Sequence, residues 1–152
     1  MKRLLLIVLP LFISFGYSQS INDEKLIKKG RLKYHPDTKE LYSGKVFQNR
    51  MGGEKEFEGS YKDGKKDGLN TEWYDNGQKK LEGTYKDGER DGLWTWWYED
   101  EQKRSEGPYK DGKPDGLHVQ WYENGKKRGE GTFKDGKIIS QKEWNEDGSL
   151  KE

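Results

Sequence analysis

Along the middle of the chain, apolar and aromatic side chains alternate with polar ones at the two-residue period of a β-strand. The clearest run is Leu93-Trp94-Thr95-Trp96-Trp97-Tyr98, with counterparts at Leu69–Tyr74 and Leu117–Tyr122. Each predicts one strand. A shorter run before it, such as Leu81-Glu82-Gly83-Thr84-Tyr85, predicts another. Asp87-Gly88 and Asp91-Gly92 separate the two, and Asn76-Gly77 or Asn124-Gly125 closes the longer strand; all are turn dipeptides. In the middle copy Asp100-Glu101 replaces the Asn-Gly pair, which predicts a strained or differently shaped loop at Glu101.

The alternation itself repeats. Glu-Gly-x-Tyr/Phe-Lys-Asp-Gly begins at Glu58, Glu82, Glu106 and Glu130, so the unit is 24 residues long. Residues 58–129 hold three full copies, and residues 130–152 hold a truncated C-terminal capping copy in which Ile138–Trp144 is a shortened strand. Gly44 precedes Gly68 by one period, so residues 44–57 form a degenerate half repeat with a strand at Lys45–Gln48. Residues 19–43 are expected to be an irregular cap hairpin containing Tyr34, Leu41 and Tyr42. The expected fold is all-β: a single-layer array of antiparallel β-hairpins built from these repeats.

Parity divides the longer strands into two faces. Leu69, Thr71 and Trp73 share one, with Leu93, Thr95 and Trp97, and Leu117, Val119 and Trp121. This set barely changes between copies and is expected to form the core. Asn70, Glu72 and Tyr74, then Trp94, Trp96 and Tyr98, then His118, Gln120 and Tyr122 form the variable set, expected to face solvent or ligand. A three-residue loop Asp75-Asn76-Gly77, with Gly77 left-handed, would pair Thr71 with Leu81 and Leu69 with Gly83, apolar beside apolar. A two-residue turn would pair Glu72 with Leu81 and mix the faces. Gly83 leaves room for a neighbouring Trp ring to lie flat on the backbone. The segment from Asp87-Gly88 to Asp91-Gly92 is compatible with several registers.

Composition changes this picture in two ways. Hydrophobic residues are 29% and charged residues 38% of the 152, a disordered profile but for 13% aromatics, including six Trp and nine Tyr. Such a chain buries rings in a thin core rather than aliphatic side chains in a thick one. At the N-terminus, Lys2-Arg3, the apolar run Leu4–Ile13, and Gly16 and Ser18 before Gln19 have the layout of a secretory signal peptide over residues 1–18. The apolar run is short of the ~20 residues of a membrane-spanning helix. With no cysteine in the chain, a lipid anchor on that residue, disulfides and thiolate metal sites are excluded. Export to the periplasm, outer surface or exterior is the expectation. Loss of Lys2 and Arg3 leaves basic and acidic residues nearly balanced and interspersed, which argues against nucleic acid as partner and gives no support to an anionic membrane surface.

The elements Tyr61-x-x-Gly64-x-x-x-Gly68 and Trp73-Tyr74-x-Asn76-Gly77, in units of this length, resemble the MORN repeat, and more closely the bacterial MORN-repeat variant of antitoxin-like proteins. The resemblance runs from Gly44 to about Glu152. It implies a β-hairpin array used for protein–protein contact, with membrane-lipid binding proposed for some MORN proteins, and it carries no catalytic residues.

Candidate chemistry is sparse. The aspartates of Lys-Asp-Gly-x-x-Asp-Gly recur four apart between lysines, as turns require, whereas a calcium loop needs converging oxygens at alternate positions. His35 and His118 are isolated, and no carboxylate pair is marked for acid–base work. No enzyme, cofactor or metal is expected. Lys79-Lys80, Lys103-Arg104 and Lys126-Lys127, with Glu82, Glu106 and Glu130, predict a solvated cross-strand charge ladder. The candidate binding residues are Trp94, Trp96 and Tyr98, flanked by Tyr74 and Tyr122, on a face otherwise covered by the chain's own termini or a second copy. The expected function is an exported, non-enzymatic protein that binds another protein in the bacterial envelope; the alternatives are a toxin-neutralising immunity protein and a cell-wall glycan module.

Overall fold

In the computed structural model, residues 20–151 are described; the expected leader, residues 1–18, lies outside them. The described residues form fourteen strands: β1 Ile21–Asn22, β2 Ile27–Lys29, β3 Leu32–Tyr34, β4 Gly44–Asn49, β5 Lys55–Lys62, β6 Lys65–Lys66, β7 Gly68–Trp73, β8 Lys79–Lys86, β9 Glu89–Trp97, β10 Lys103–Lys110, β11 Lys113–Pro114, β12 Gly116–Trp121, β13 Lys127–Lys134 and β14 Lys137–Glu143. Twelve form one sheet in the order β1-β4-β5-β7-β8-β9-β10-β12-β13-β14, with β6 and β11 pairing β5 and β10. Apart from the parallel contact of β1 with β4, every pairing is antiparallel, between chain neighbours or across the two-residue β6 and β11, so the fold is the expected single-layer hairpin array.

Two turn chemistries alternate along this sheet. At one side, Asp63-Gly64, Asp87-Gly88, Asp111-Gly112 and Asp135-Gly136 all have positive φ at both residues, the signature of the two-residue type I′ hairpin. Aspartate tolerates this left-handed conformation better than other non-glycine residues. The second Asp-Gly makes no turn. Gly68, Gly92 and Gly116 have φ of 100°, 87° and 119°, and they bulge the longer strand so that Tyr85 pairs with Arg90 but Gly83 with Trp94.

At the other side the loop Asp75-Asn76-Gly77 forms as the sequence predicts, closed by Tyr74 and Gln78, with Gly77 at φ 82°. The register beyond it differs. A bulge at Lys80 lies between the Trp73–Lys79 and Glu72–Leu81 pairs. Glu72 therefore faces Leu81, Thr71 faces Glu82 and Asn70 faces Gly83, which is the pairing the apolar-matching argument rejected. One inserted residue reverses what opposes what.

The core follows from that register and corrects the face assignment. Trp94 is 1% exposed and Asn70 2%, whereas Leu69, Leu93 and Leu117 are 58%, 56% and 52% exposed. The set that varies between copies thus supplies the buried positions, and the constant set lies on the open face, with Thr71 and Thr95 sheltered between larger neighbours. At the N-terminal end, Val46, Phe57 and Tyr61 are buried under Leu26 and Tyr42. The segment above them holds a 3-10 turn at Asp23–Lys25 and the β2–β3 hairpin, and it docks on the sheet through Lys33 N–H to the Gly64 carbonyl and Gly64 N–H to the Tyr42 carbonyl.

Candidate binding site

The face that carries Trp94 is an aromatic ladder. Glycines in β8 and β10 create its depth: a Cβ on Gly83 would meet Trp94 Cδ2 at 2.2 Å, and one on Gly107 would meet His118 Nδ1 at 2.2 Å. Each ring lies flat on a backbone that only glycine leaves bare, as expected for Gly83. Trp94 Nε1 donates to the Thr84 carbonyl at 3.1 Å, and His118 Nε2 bonds the Pro108 carbonyl at 2.8 Å. Around them stand Tyr85, Tyr109 and Phe133, with edge-on contacts of 4.9 Å for Tyr85–Trp94 and His118–Phe133 and 5.2 Å for Tyr109–His118. The Arg90 guanidinium lies 4.4 Å from the Trp94 centroid and 5.3 Å from those of Trp96 and Tyr109, sealing Trp94 from above.

The five residues singled out in the sequence do not form one exposed patch. Trp94 is interior. Trp96, whose ring centre is 5.8 Å from that of Trp94, is half-buried at the rim. Tyr74, Tyr98 and Tyr122 stand one repeat apart at the loop side of the sheet. Each hydroxyl donates to a carbonyl of the next repeat, at Trp97, Trp121 and Trp144, over 2.7, 2.8 and 2.8 Å. Their hydroxyls hold neighbouring repeats together.

Two halves of this face differ in cover. Over Phe57 and Tyr61 the chain lays its own residues, with Leu26 buried and Asp23 paired to Lys33 at 2.7 Å. Burial, reinforced by the Asp23 carboxylate, pushes the Tyr61 hydroxyl pKa well above the usual tyrosine range. Desolvation draws Lys66, whose ammonium lies over the Phe57 and Tyr85 rings, below the usual lysine range. Beside this cover a cleft of about 850 Å³ separates the β2–β3 hairpin from Tyr61, Lys66 and Tyr85.

Over the C-terminal half there is no such cover among the described residues. A shallow trough of about 380 Å³ runs between Trp96, Tyr98, Tyr109, His118, Arg104 and Arg128. A second hollow of about 380 Å³ continues it past Phe133 to Ile138 and Gln141. Arg104 and Arg128 lie over Tyr98 and Tyr122 at 5.9 and 5.8 Å, so the trough is aromatic at its floor and cationic at its margin. Sequence reasoning passed over Tyr109, Phe133 and Arg128 and placed Arg104 in the solvated charge ladder. The rings had a signal: Tyr85, Tyr109 and Phe133 sit two residues after Gly83, Gly107 and Gly131 and so share their face.

On the opposite face the expected charge ladder exists with a different geometry. Lys79 Nζ meets Glu82 at 2.7 Å, Lys103 meets Glu106 at 2.6 Å and Lys127 meets Glu130 at 2.9 Å, all within one strand. The bulge inserts a residue, which brings side chains three apart onto one side. Thr71 and Thr95 donate hydroxyl hydrogen bonds to Glu82 and Glu106.

Residues 66–87, 90–111 and 114–135 match the model of the MORN repeat variant. Three consecutive units of the chain are thus similar to the MORN-variant repeat. They recur with the same 24-residue spacing, starting at the middle of each hairpin rather than at the Glu-Gly of the shorter strand. MORN repeats are a non-catalytic repeat type and commonly mediate protein or membrane interactions. A search among curated proteins finds no match.

Proposed function

We propose that the chain is an exported, non-enzymatic scaffold of the bacterial envelope that holds a polypeptide segment of another protein in the trough between Trp96 and Phe133. One observation carries the reading. The same aromatic face, two to three repeats earlier, already binds a polypeptide: the chain's own residues around Leu26 and Asp23. Tyr61, Tyr85, Tyr109 and Phe133 are equivalent positions, so the open half offers the chemistry of the occupied half. A partner segment suited to it carries an apolar side chain for the Tyr109–Phe133 floor and carboxylates for Arg104 and Arg128.

The test is capture from the native cells with the mature chain as bait, beside an Arg104→Glu, Arg128→Glu variant. The expected result is one co-purifying protein that disappears with the variant; identical recovery by both baits overturns the reading. A toxin as the captured protein would specify the scaffold as an immunity protein. Export is tested separately by N-terminal sequencing of the native protein, which should begin at Gln19; an uncleaved chain in the cytosol overturns it.

A further inference from the structure

The face away from the trough consists of three straight rows that cross the strands. The first alternates Trp and Lys: Trp73 pairs Lys79, Trp97 pairs Lys103 and Trp121 pairs Lys127. Trp144 ends this row, with the Lys127 ammonium 5.3 Å from its ring centre. The second alternates Thr71, Thr95 and Val119 with Glu82, Glu106 and Glu130. The third sets exposed Leu69, Leu93 and Leu117 beside Thr84, Pro108 and Thr132. Strands in a sheet lie about 4.8 Å apart. A tryptophan from every second strand therefore recurs at about 9.6 Å, close to the length of one extended β-1,4-linked disaccharide.

We propose that this face binds a single extended β-1,4-linked glycan chain, laid across the strands along Trp73, Trp97, Trp121 and Trp144. Three features converge on that ligand. The indole rings are half-buried, and the exposed Lys55, Lys79 and Lys127 hold their ammoniums over Trp73, Trp97 and Trp144 at 5.6, 5.9 and 5.3 Å; these flexible side chains can swing aside, and the C–H faces of β-linked sugars take their place, one ring to each disaccharide. Beside them the Thr, Glu and Lys side chains present a regular alternation of donors and acceptors, as sugar hydroxyls require. The ion pairs at Lys55–Glu58, Lys79–Glu82, Lys103–Glu106 and Lys127–Glu130 neutralise the face internally, which suits an uncharged polymer and not a polyanion. Sheets twist by roughly 20° per strand, so successive rings turn about the row. That geometry accommodates one flexible chain rather than the flat surface of a crystalline polysaccharide. This site lies on the opposite side of the sheet from the trough and does not depend on the reading given for it.

Titration calorimetry of the full mature chain tests the proposal with two series of probes, disaccharide and hexasaccharide of β-1,4-linked N-acetylglucosamine and of β-1,4-linked glucose. The hexasaccharide of at least one series should bind about tenfold tighter or more than its disaccharide, because it spans several rings at once. The series that binds identifies the sugar. Trp97→Ala with Trp121→Ala should remove this length dependence, and Trp97→Tyr, which keeps a ring and the fold, should weaken hexasaccharide binding without abolishing it. Absence of binding by both hexasaccharides, equal affinity for short and long probes, or retention on crystalline chitin without hexasaccharide binding would each overturn the proposal.

Discussion

Single residues carry strain and burial that can be measured. Glu101 holds φ at 69° in a loop whose equivalents use Gly77 and Gly125 at 82° and 76°, and it keeps the same loop bonds, with Glu101 N–H to the Tyr98 carbonyl at 3.2 Å. Left-handed backbone costs a β-carbon residue about 1–2 kcal/mol. Glu101→Gly should therefore stabilise the protein by about 1 kcal/mol, read as a higher urea midpoint. At Gly83 the sign is opposite. A methyl group would enter the Trp94 ring, so Gly83→Ala should cost about 1–3 kcal/mol in the same assay and shift the Trp fluorescence as the ring is displaced. Tyr61 gives a pH dependence. Its folded-state pKa is raised by burial, so its contribution is complete below the ordinary tyrosine pKa of about 10 and is lost as pH rises beyond it. Urea midpoints should fall across that alkaline range in the native chain and fall less in Tyr61→Phe.

At the level of elements, hairpins are joined by bonds that recur at both sides of the sheet. Gly88, Gly112 and Gly136 each donate a backbone N–H to the carbonyl of Lys66, Arg90 and Pro114 in the preceding unit. Tyr74, Tyr98 and Tyr122 bond forward at the other side. Tyr98→Phe leaves the Trp121 carbonyl without its partner and should cost about 1 kcal/mol, with hydrogen exchange faster in β12 than in β5. Much of this was legible in the sequence, because turn chemistry is local: Asp-Gly, Asn-Gly and the 24-residue period gave the strands and the loop at Asp75–Gly77. The faces were not legible, for two reasons. The bulge at Lys80 has no sequence signature, and it moves the register by one. Constancy was also a poor guide to burial here. In a single-layer array an open-face leucine has only a Thr or Pro across the strand and stays the same, while the inner position accepts Val46, Asn70, Trp94 or the half-buried His118 as its surroundings change from cap to centre to end. The trough escaped sequence reasoning for the same reason, since its floor residues lie on strands whose facing could not be fixed without the bulge.

The whole molecule is a row of like units, each bonded to its neighbours, and its stability should be close to a sum of unit and interface terms. Excising residues 106–129 joins Ser105 to Glu130 in frame and preserves the bonding pattern at both sides. The shortened chain should fold and unfold cooperatively, with a smaller dependence on denaturant because less surface is exposed on unfolding; an unfolded product would show that the units are not equivalent. The tyrosine and glycine bonds between repeats have a further consequence, for the time course of folding. They reach only the adjacent unit, and side-chain hydrogen bonds among the described residues span at most 24 residues. Sheets ordinarily form slowly because their ends must meet across long loops. Here every rung closes on the one just made, so the sheet can assemble in the order in which its residues become available, at a pace set by one hairpin and not by the length of the ladder.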